Sequence, residues 1–508
     1  MSGEAAHPGD RPTVSQHPLR EMFAIAGPTV TTMASYTLMV FADSWVVSHI
    51  GPEPIYNGAQ GNGGLSAWIP MSFAAGALQV INTYVSQNFG AGTPRKGPAY
   101  VWNGLWIAAA YWLAVLVPLS FALPWIFEHF TQTSPEQAAM SAQYGQILLR
   151  GAVLTLWTRS LSQFYYGMHR ARVVMVAGIV ANIFNLVLNC VLIFGDGPQA
   201  QGLGPLGTFS HALAVALQIP PQGIAGSAYG TVLATLIELS IPLGVFLSPG
   251  LHARFGTRDG WRVSWTHVRD LLRLGWPAAL MFGNEMICWG FFMIGLVSRF
   301  GDEHATAAWI AHRYMQLSFM PAVGLSVACT ALVGKYMGMG RPDVAQQRTW
   351  LAVRLAATYM GCCALLFVLI PGPLMGPFIP GDADPGTREA LLHLGRNFMV
   401  AMATFQLFDA GAMVLSGALR GAGDTTVPGV ATVVLSWSVI VGGGAAMIRW
   451  APRLESLGPW IAASAYIIIL CLFLLFRFTS GRWKTIRLVH AAPATGAEIA
   501  ESSTTDGI

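Results

Sequence analysis

Three carboxylates stand where lipid makes them costly. Asp409 lies in the apolar run TFQLFDAGAMVLSGAL, Glu285 in FGNEMICWG and Asp43 in FADSWVVSHIG. A charged side chain at the centre of a membrane helix costs about 2.5–3.5 kcal/mol even on the mildest insertion scales, so each needs a compensating use. No arginine lies within one turn of Glu285 or Asp409. Oxygen ligands suit hard monovalent cations, and buried carboxylates also take protons; the plain alternative is a structural hydrogen bond to a neighbouring serine or backbone carbonyl. Asp43 falls near the outer end of its segment, where a carboxylate at the helix mouth is the alternative. Asn182, Asn185 and Asn189 are spaced three and four apart and so form one polar stripe on a helix, with Asn189 near the depth of Asp43.

Apolar helices must hold these groups. Of 508 residues 54% are hydrophobic and only 10% charged, with mean hydropathy +0.51, which places the chain in a bilayer. Twelve apolar segments fit membrane helices: 21–47, 64–88, 101–127, 140–166, 172–195, 223–248, 268–299, 305–333, 350–371, 392–418, 426–448 and 458–477. The first 20 residues hold no apolar core, so no cleavable signal peptide is expected, and the tail from Ala491 to Ile508 reads as disordered. Cys190, Cys288, Cys329, Cys362, Cys363 and Cys471 lie in apolar runs without metal-site spacing and read as small buried hydrophobes.

With alternating helices, Arg11, Arg20, Arg95, Lys96, Arg170, Arg172, Arg254, Arg258, Arg262, Arg269, Lys335, Arg341, Arg420, Arg482, Lys484 and Arg487 share one side. The other side holds mostly acids, Glu53, Glu128, Glu136, Asp196, Asp302, Glu303, Asp382, Asp384 and Glu389, with Arg299, Arg388, Arg449 and Arg453. The positive-inside bias predicts both termini in the cytoplasm.

Three landmarks recur at one offset of about 250 residues: LREMFAIAGP with VRDLLRLGWP, FGAGTPRKG with MGMGRPDVA, and YYGMHRAR with LSGALRGA. Each repeat holds six helices, so the halves enter from the same side, as in transporters built from parallel repeats with a substrate path between them. The expected architecture is an all-α integral membrane protein of two pseudo-symmetric six-helix bundles. Residues 1–20 form a cytoplasmic tail, 21–248 the first bundle, 249–267 a basic linker, 268–477 the second bundle and 478–508 a partly disordered tail.

FADSWVVSHIG, SQNFGAG, NIFNLVLN, FGNEMICWG, AAWIAHRYMQLSFMPAVG and DAGAMVLSGALRGAGDTTVP, in this order and spacing, resemble the multidrug and toxic compound extrusion (MATE) family, bacterial cation-coupled type. The likeness runs from about Leu19 to Arg477. It implies that Asp43 is a protonation or cation site hydrogen-bonded to the fifth-helix amides, and that Glu285 and Asp409 form a coupling site for H+ or Na+. Some relatives carry a carboxylate where Asn189 stands here.

Arg150 and Arg159 lie within snorkelling reach of helix ends and read as packing or gating groups, and His312 is assigned no chemistry. Phe282, Trp289 and Phe291, in the helix of Glu285, are candidates for a cavity wall on which flat cations stack. The function expected is secondary antiport of amphipathic organic cations or drugs against H+ or Na+, in the cell inner membrane, by a monomer, with no cofactor and no nucleic acid. The alternative is a flippase for a lipid-linked saccharide, which wants a more cationic cavity. An enzyme is not expected, since HExxH, G-x-S-x-G, P-loop and aspartate-rich diphosphate motifs are absent. A static channel fits a duplicated six-helix unit less well than alternating access does.

Overall fold

The computed structural model describes residues 13–51, 55–131, 133–197, 203–379 and 384–489. Arg11, Glu53, Asp382 and the tail from Ala491 to Ile508 lie outside them. Twelve long helices account for the fold: α1 Pro18–Val47, α2 Ile55–Gly90, α3 Pro94–Phe130, α4 Pro135–Gly167, α5 Ala171–Phe194, α6 Gly223–Phe246, α7 Trp265–Phe300, α8 Asp302–Gly338, α9 Pro342–Leu369, α10 Pro385–Ala422, α11 Thr426–Trp450 and α12 Leu457–Thr479. Eleven are long and apolar enough to cross a bilayer. The twelfth, α4, is long enough at 33 residues but carries Arg150, Arg159, Gln146 and Gln163, polarity tolerated because it packs against α2, α3 and α6 inside its lobe.

Local signals set many ends. Proline occupies the first turn of α1, α4, α9 and α10, where its missing N–H is no loss. The Asp384 carboxylate caps α10 by accepting from the Gly386 and Thr387 amides at 3.0 and 3.4 Å. Helices α2, α3, α9 and α10 begin seven to nine residues before the apolar runs that mark them, because polar and glycine-rich turns such as IYNGAQGNG continue the helix past the hydrocarbon zone. A helix at Gly204–Leu217, between α5 and α6, was not expected from the sequence; its 14 residues are too few to span. The segment joining the halves is no free linker. It contains a short helix, Pro249–Phe255, and is held by Trp102 donating to the Thr257 carbonyl at 2.7 Å, Trp106 to that of Trp261 at 2.8 Å and the Ser264 amide to Asn103 at 2.8 Å. Four cysteines are buried as expected, whereas Cys362 is exposed and Cys363 partly so, since both fall on the outward side of α9.

The first six helices form one lobe, bound by α2–α4, α5–α6, α4–α6 and α1–α5 packing, and the last six another, bound by α8–α10, α9–α10 and α10–α12. The lobes meet through α1 on α8 and α2 on α7, which a two-fold exchange of the repeats interconverts. The repeat reaches the backbone: Gly92 and Gly340, closing α2 and α8, both take the left-handed conformation, with φ +74° and +71°.

Three apolar cores show how the lobes are joined. One is shared and draws on both, with Met22, Leu78 and Tyr84 beside Leu325, Val333 and Leu419. A second, around Phe292, Phe398 and Trp460, belongs to the second lobe alone, and a third, around Val46, Tyr144 and Phe194, to the first alone. The second-lobe members of the shared core lie toward the end bearing the start of α1 and the ends of α2 and α8, while its first-lobe members run on to Leu123, Phe127 and Ala138. The lobes are therefore sealed there and separate toward the opposite end.

Candidate functional site

Asp43 is buried, four residues before the end of α1, and Asn189 on α5 donates its Nδ2 to the Asp43 Oδ1 at 2.7 Å. The same nitrogen reaches the Asn185 Oδ1 at 3.4 Å. The close approach of α6 to Asn189 needs Gly230, because a Cβ there would lie 3.2 Å from the Asn189 Cγ and backbone nitrogen and nearer still to its Oδ1. Tyr144 of α4 faces the same pocket, with Ser227, Gln60 and Thr231 around its hydroxyl. The asparagine stripe divides: Asn189 and Asn185 serve Asp43, while Asn182, deeper along α5, donates to the Ser35 hydroxyl of α1. The Oδ1 atoms of Asn182 and Asn189 and the Nδ2 of Asn185 are buried without a partner, a donor and acceptor set that suits water or a small cation.

In the second lobe Glu285 and Asp409 lie close enough to interact electrostatically, and both act on the Tyr466 hydroxyl of α12. No hydrogen bond or ion pair engages either carboxyl group among the described residues. Their surroundings are polar. Asn284, beside Glu285, donates to the Ser436 hydroxyl at 2.8 Å and accepts from the Trp437 indole at 2.6 Å. Gln406, one turn before Asp409, donates to Ser318 at 2.9 Å and keeps a partnerless Oε1. From Ser436 to Gly443, α11 adopts π-helical geometry, an irregularity frequent beside functional groups.

The three aromatic candidates do not share one wall. Phe282 packs at the lobe seam, its Cβ 2.9 Å from where a Cβ on Gly76 would stand; Trp289 lies within 6.1 Å of His312; Phe291 is exposed beside Trp437. Arg150 is exposed over Phe121, midway along α4. Arg159 is different. It turns inward over the rings of Tyr36 and Trp68, at 5.5 and 6.0 Å, beside the buried Glu238 of α6. Sequence reasoning passes over Glu238, although a lone carboxylate in the apolar run TLIELSIP is the same signal that marks Asp409.

The sealed end carries a polar seam. Glu21 of α1 accepts from Lys335 at 2.8 Å, from Arg348 at 3.0 Å and from the Tyr336 hydroxyl at 2.8 Å, with all three charged side chains less than 10% exposed. Arg348 also donates to the Ser15 carbonyl, Thr83 to that of Arg420, Gln87 to that of Gly421 and Tyr84 to that of Asp270. Among the described residues, hydrogen bonds and ion pairs cross between the lobes only at this end.

Comparison with known proteins agrees with this architecture. The family model MatE matches the chain twice, over 28–191 and 277–442, one match per repeat. "Probable multidrug resistance protein NorM" of Mesorhizobium japonicum is 28% identical over 468 residues, covering 91% of this chain and 93% of the relative. "Multidrug resistance protein NorM" of Burkholderia vietnamiensis is 26% identical, covering 94% and 97%. Among solved structures, a MOP superfamily transporter from Pyrococcus furiosus superposes with TM-score 0.79 at 18% identity over 92% of this chain and 97% of that one. A multidrug resistance MATE transporter described as outward-facing superposes with TM-score 0.78 at 18% identity, covering 92% and 97%. Matched on both repeats, and built as two six-helix lobes around buried carboxylates, the chain belongs to the MATE family of membrane transporters.

Proposed function

We propose that this protein is a secondary antiporter that expels amphipathic organic cations in exchange for H+ or Na+, by alternating access between its two lobes. The observation that carries the reading is the pairing of Glu285 with Asp409, free of any cationic partner, in a molecule sealed at one end only. Two such anions repel unless a proton or cation sits with them. Loading them therefore changes the energy of one lobe, which is what a coupling ion must do. Asp43 is the ion site of the first lobe, held by Asn189, which also reaches Asn185. The names of the NorM relatives point to drugs as cargo.

The sealed end carries Arg20, Arg95, Lys96, Arg254, Arg258, Arg341, Arg482 and Lys484, so the positive-inside rule assigns it to the cytoplasm and the open end to the outside. A driving cation entering the negative interior gains about 2.3 kcal/mol per charge per 100 mV. Both lobes lie in one chain, so a monomer contains the whole path. The flippase alternative needs a cationic cavity, whereas the Glu285 and Asp409 pair is acidic.

The test is efflux of a fluorescent cationic dye from proteoliposomes, with a pH gradient and a Na+ gradient imposed separately. Dye movement driven by either gradient, and lost with Glu285→Gln, supports antiport. Equal dye movement with and without both gradients overturns it.

A further inference from the structure

Repeat arithmetic brings together residues that no single motif connects. Tyr36 and Glu285 are 249 positions apart, as are Pro28 and Pro277; Arg159 and Asp409 are 250 apart, as are Gly167 and Gly417. The α7 and α10 positions that hold the two carboxylates of the second lobe thus correspond, in the first lobe, to Tyr36 on α1 and Arg159 on α4. These are the residues gathered around Glu238. The sixth helix of each repeat completes the set: α12 contributes the Tyr466 hydroxyl to Glu285 and Asp409, and α6 contributes the Glu238 carboxylate to Tyr36 and Arg159. Equivalent helices carry carboxylate and hydroxyl in exchanged places, with a guanidinium where the second lobe has its other acid.

We infer that Glu238, hydrogen-bonded by Tyr36 and faced by Arg159, is a second proton-carrying site of the first lobe, on the inner side of Asp43. The inference rests on the antiport reading. Glu238 is eight residues from the inner end of α6, about 12 Å at 1.5 Å per residue, whereas Asp43 is near the outer end of α1. Between them lie the Asn189, Asn185 and Asn182–Ser35 groups, whose three buried partnerless atoms mark a column suited to bound water. Tyr36 is seven residues from Asp43 on the same face of α1, so the column starts and ends on one helix.

The groups that bear on Glu238 come from two helices: the Tyr36 hydroxyl from α1, and Arg159 and Tyr166 from α4. From α5 only Arg172 near its inner end and Cys190 near its outer end are titratable, and from α2 only Tyr56 and Tyr84, far from the middle. Arg159 makes no ion pair with Glu238 among the described residues; its guanidinium stays over Tyr36 and Trp68. The carboxylate therefore has one strong donor and an unclaimed second oxygen. Glu238 keeps 9% of its surface open, and Tyr36, Trp68 and Arg159 are only partly buried, so a proton has access. A proton arriving through the column adds to the unclaimed carboxylate oxygen and cancels the negative charge beside Arg159; it leaves to water on the inner side, which restores that charge.

Infrared pH-titration of purified protein in lipid, reading the C=O stretch of protonated carboxylic acids, tests this without relying on transport. Wild type should show a component that Glu238→Gln removes and Asp43→Asn keeps. Tyr36→Phe should retain that component at a shifted frequency, and so should Glu238→Asp, which preserves a carboxyl if the amide variant folds poorly. In dye efflux driven by a pH gradient, Glu238→Gln should lose one step of the pH profile. A Glu238→Gln difference spectrum identical to wild type, or an unchanged pH profile, overturns the assignment. Absence of pH-driven efflux in wild type, together with a Glu238 component still present in the spectra, would instead overturn H+ coupling and leave the proton site standing.

Discussion

The seal at the inner end depends on two glycines that the repeat pairs across the lobes, and replacing either by alanine should open it. A Cβ on Gly90 of α2 would stand 2.8 Å from the backbone carbon and 3.1 Å from the Cα of Lys335 on α8; one on Gly338 of α8 would stand 2.8 Å from the Gln87 carbon and 2.9 Å from the Ala91 nitrogen on α2. Carbon atoms pack at about 3.5–4.0 Å, so the two helices must part by roughly 1 Å, and no flexible side chain can yield in their place. Overpacking of this kind costs about 1–3 kcal/mol. The cost falls only on the conformation in which α2 and α8 touch, so the sealed-to-open ratio should drop about 5- to 150-fold. Electron–electron distance measurements between spin labels at Lys96 and Gln347, exposed positions of opposite lobes, in a background without native cysteines, read that ratio directly. Each variant should move population to longer distances. The double variant should add little, because one separation relieves both clashes. Gly244→Ala, whose Cβ meets nothing within 4 Å, is the control. A distance distribution unchanged in both seam variants would refute the close-contact reasoning.

Glu21→Gln should weaken the same seal by about 3–5 kcal/mol, since it strips the carboxylate from buried Lys335 and Arg348, and the same label pair should report it; an unshifted distribution would show the cluster to be incidental. Asp43→Asn keeps an oxygen to accept from Asn189, so the protein should insert normally while ion-driven efflux falls; normal efflux across the pH range would reduce Asp43 to a helix-mouth group. Glu285→Gln and Asp409→Asn should each abolish ion-driven efflux, with the double variant hardly worse than either, as for members of one unit; full activity in either single variant removes the pair from the mechanism.

What the sequence made legible was what repeats or alternates along it. Twelve helices follow from the apolar runs, and two lobes from landmarks at a constant offset, which the family model's matches at 28–191 and 277–442 share. Helix ends were less legible, because polar turns such as IYNGAQGNG continue a helix once the chain leaves the hydrocarbon. Sites whose members lie on one helix, like the asparagine stripe, could be read from spacing, although only the fold separates Asn182 from its neighbours. Glu238 lies 202 positions from the hydroxyl it binds, and Glu21 lies 314 and 327 positions from its cations. Such pairings are set by which helices cross, and no pattern along one helix records them.

The seam also shows where duplication stopped constraining the chain. Glu21 and Asp270 are 249 positions apart and occupy equivalent places at the start of α1 and α7, and Arg348 and Tyr100 are equivalent at the 248-residue offset of Gly92 and Gly340. Each acid meets the other's counterpart: Glu21 meets Arg348, and Asp270 accepts from the Tyr100 hydroxyl at 3.3 Å. One latch is a buried ion cluster with two cations and the other a single hydroxyl-to-carboxylate hydrogen bond. Breaking a buried pair costs about 3–5 kcal/mol, whereas a hydrogen bond to a charged group contributes about 1.5–3 kcal/mol. Most of the electrostatic hold on the inner seal therefore lies on α1, the helix that also carries Tyr36 and Asp43. On the antiport proposed above, an ion that shifts α1 would act directly on the stronger latch and one bound at Glu285 on α7 on the weaker, so the two lobes should contribute unequally to opening despite their common origin.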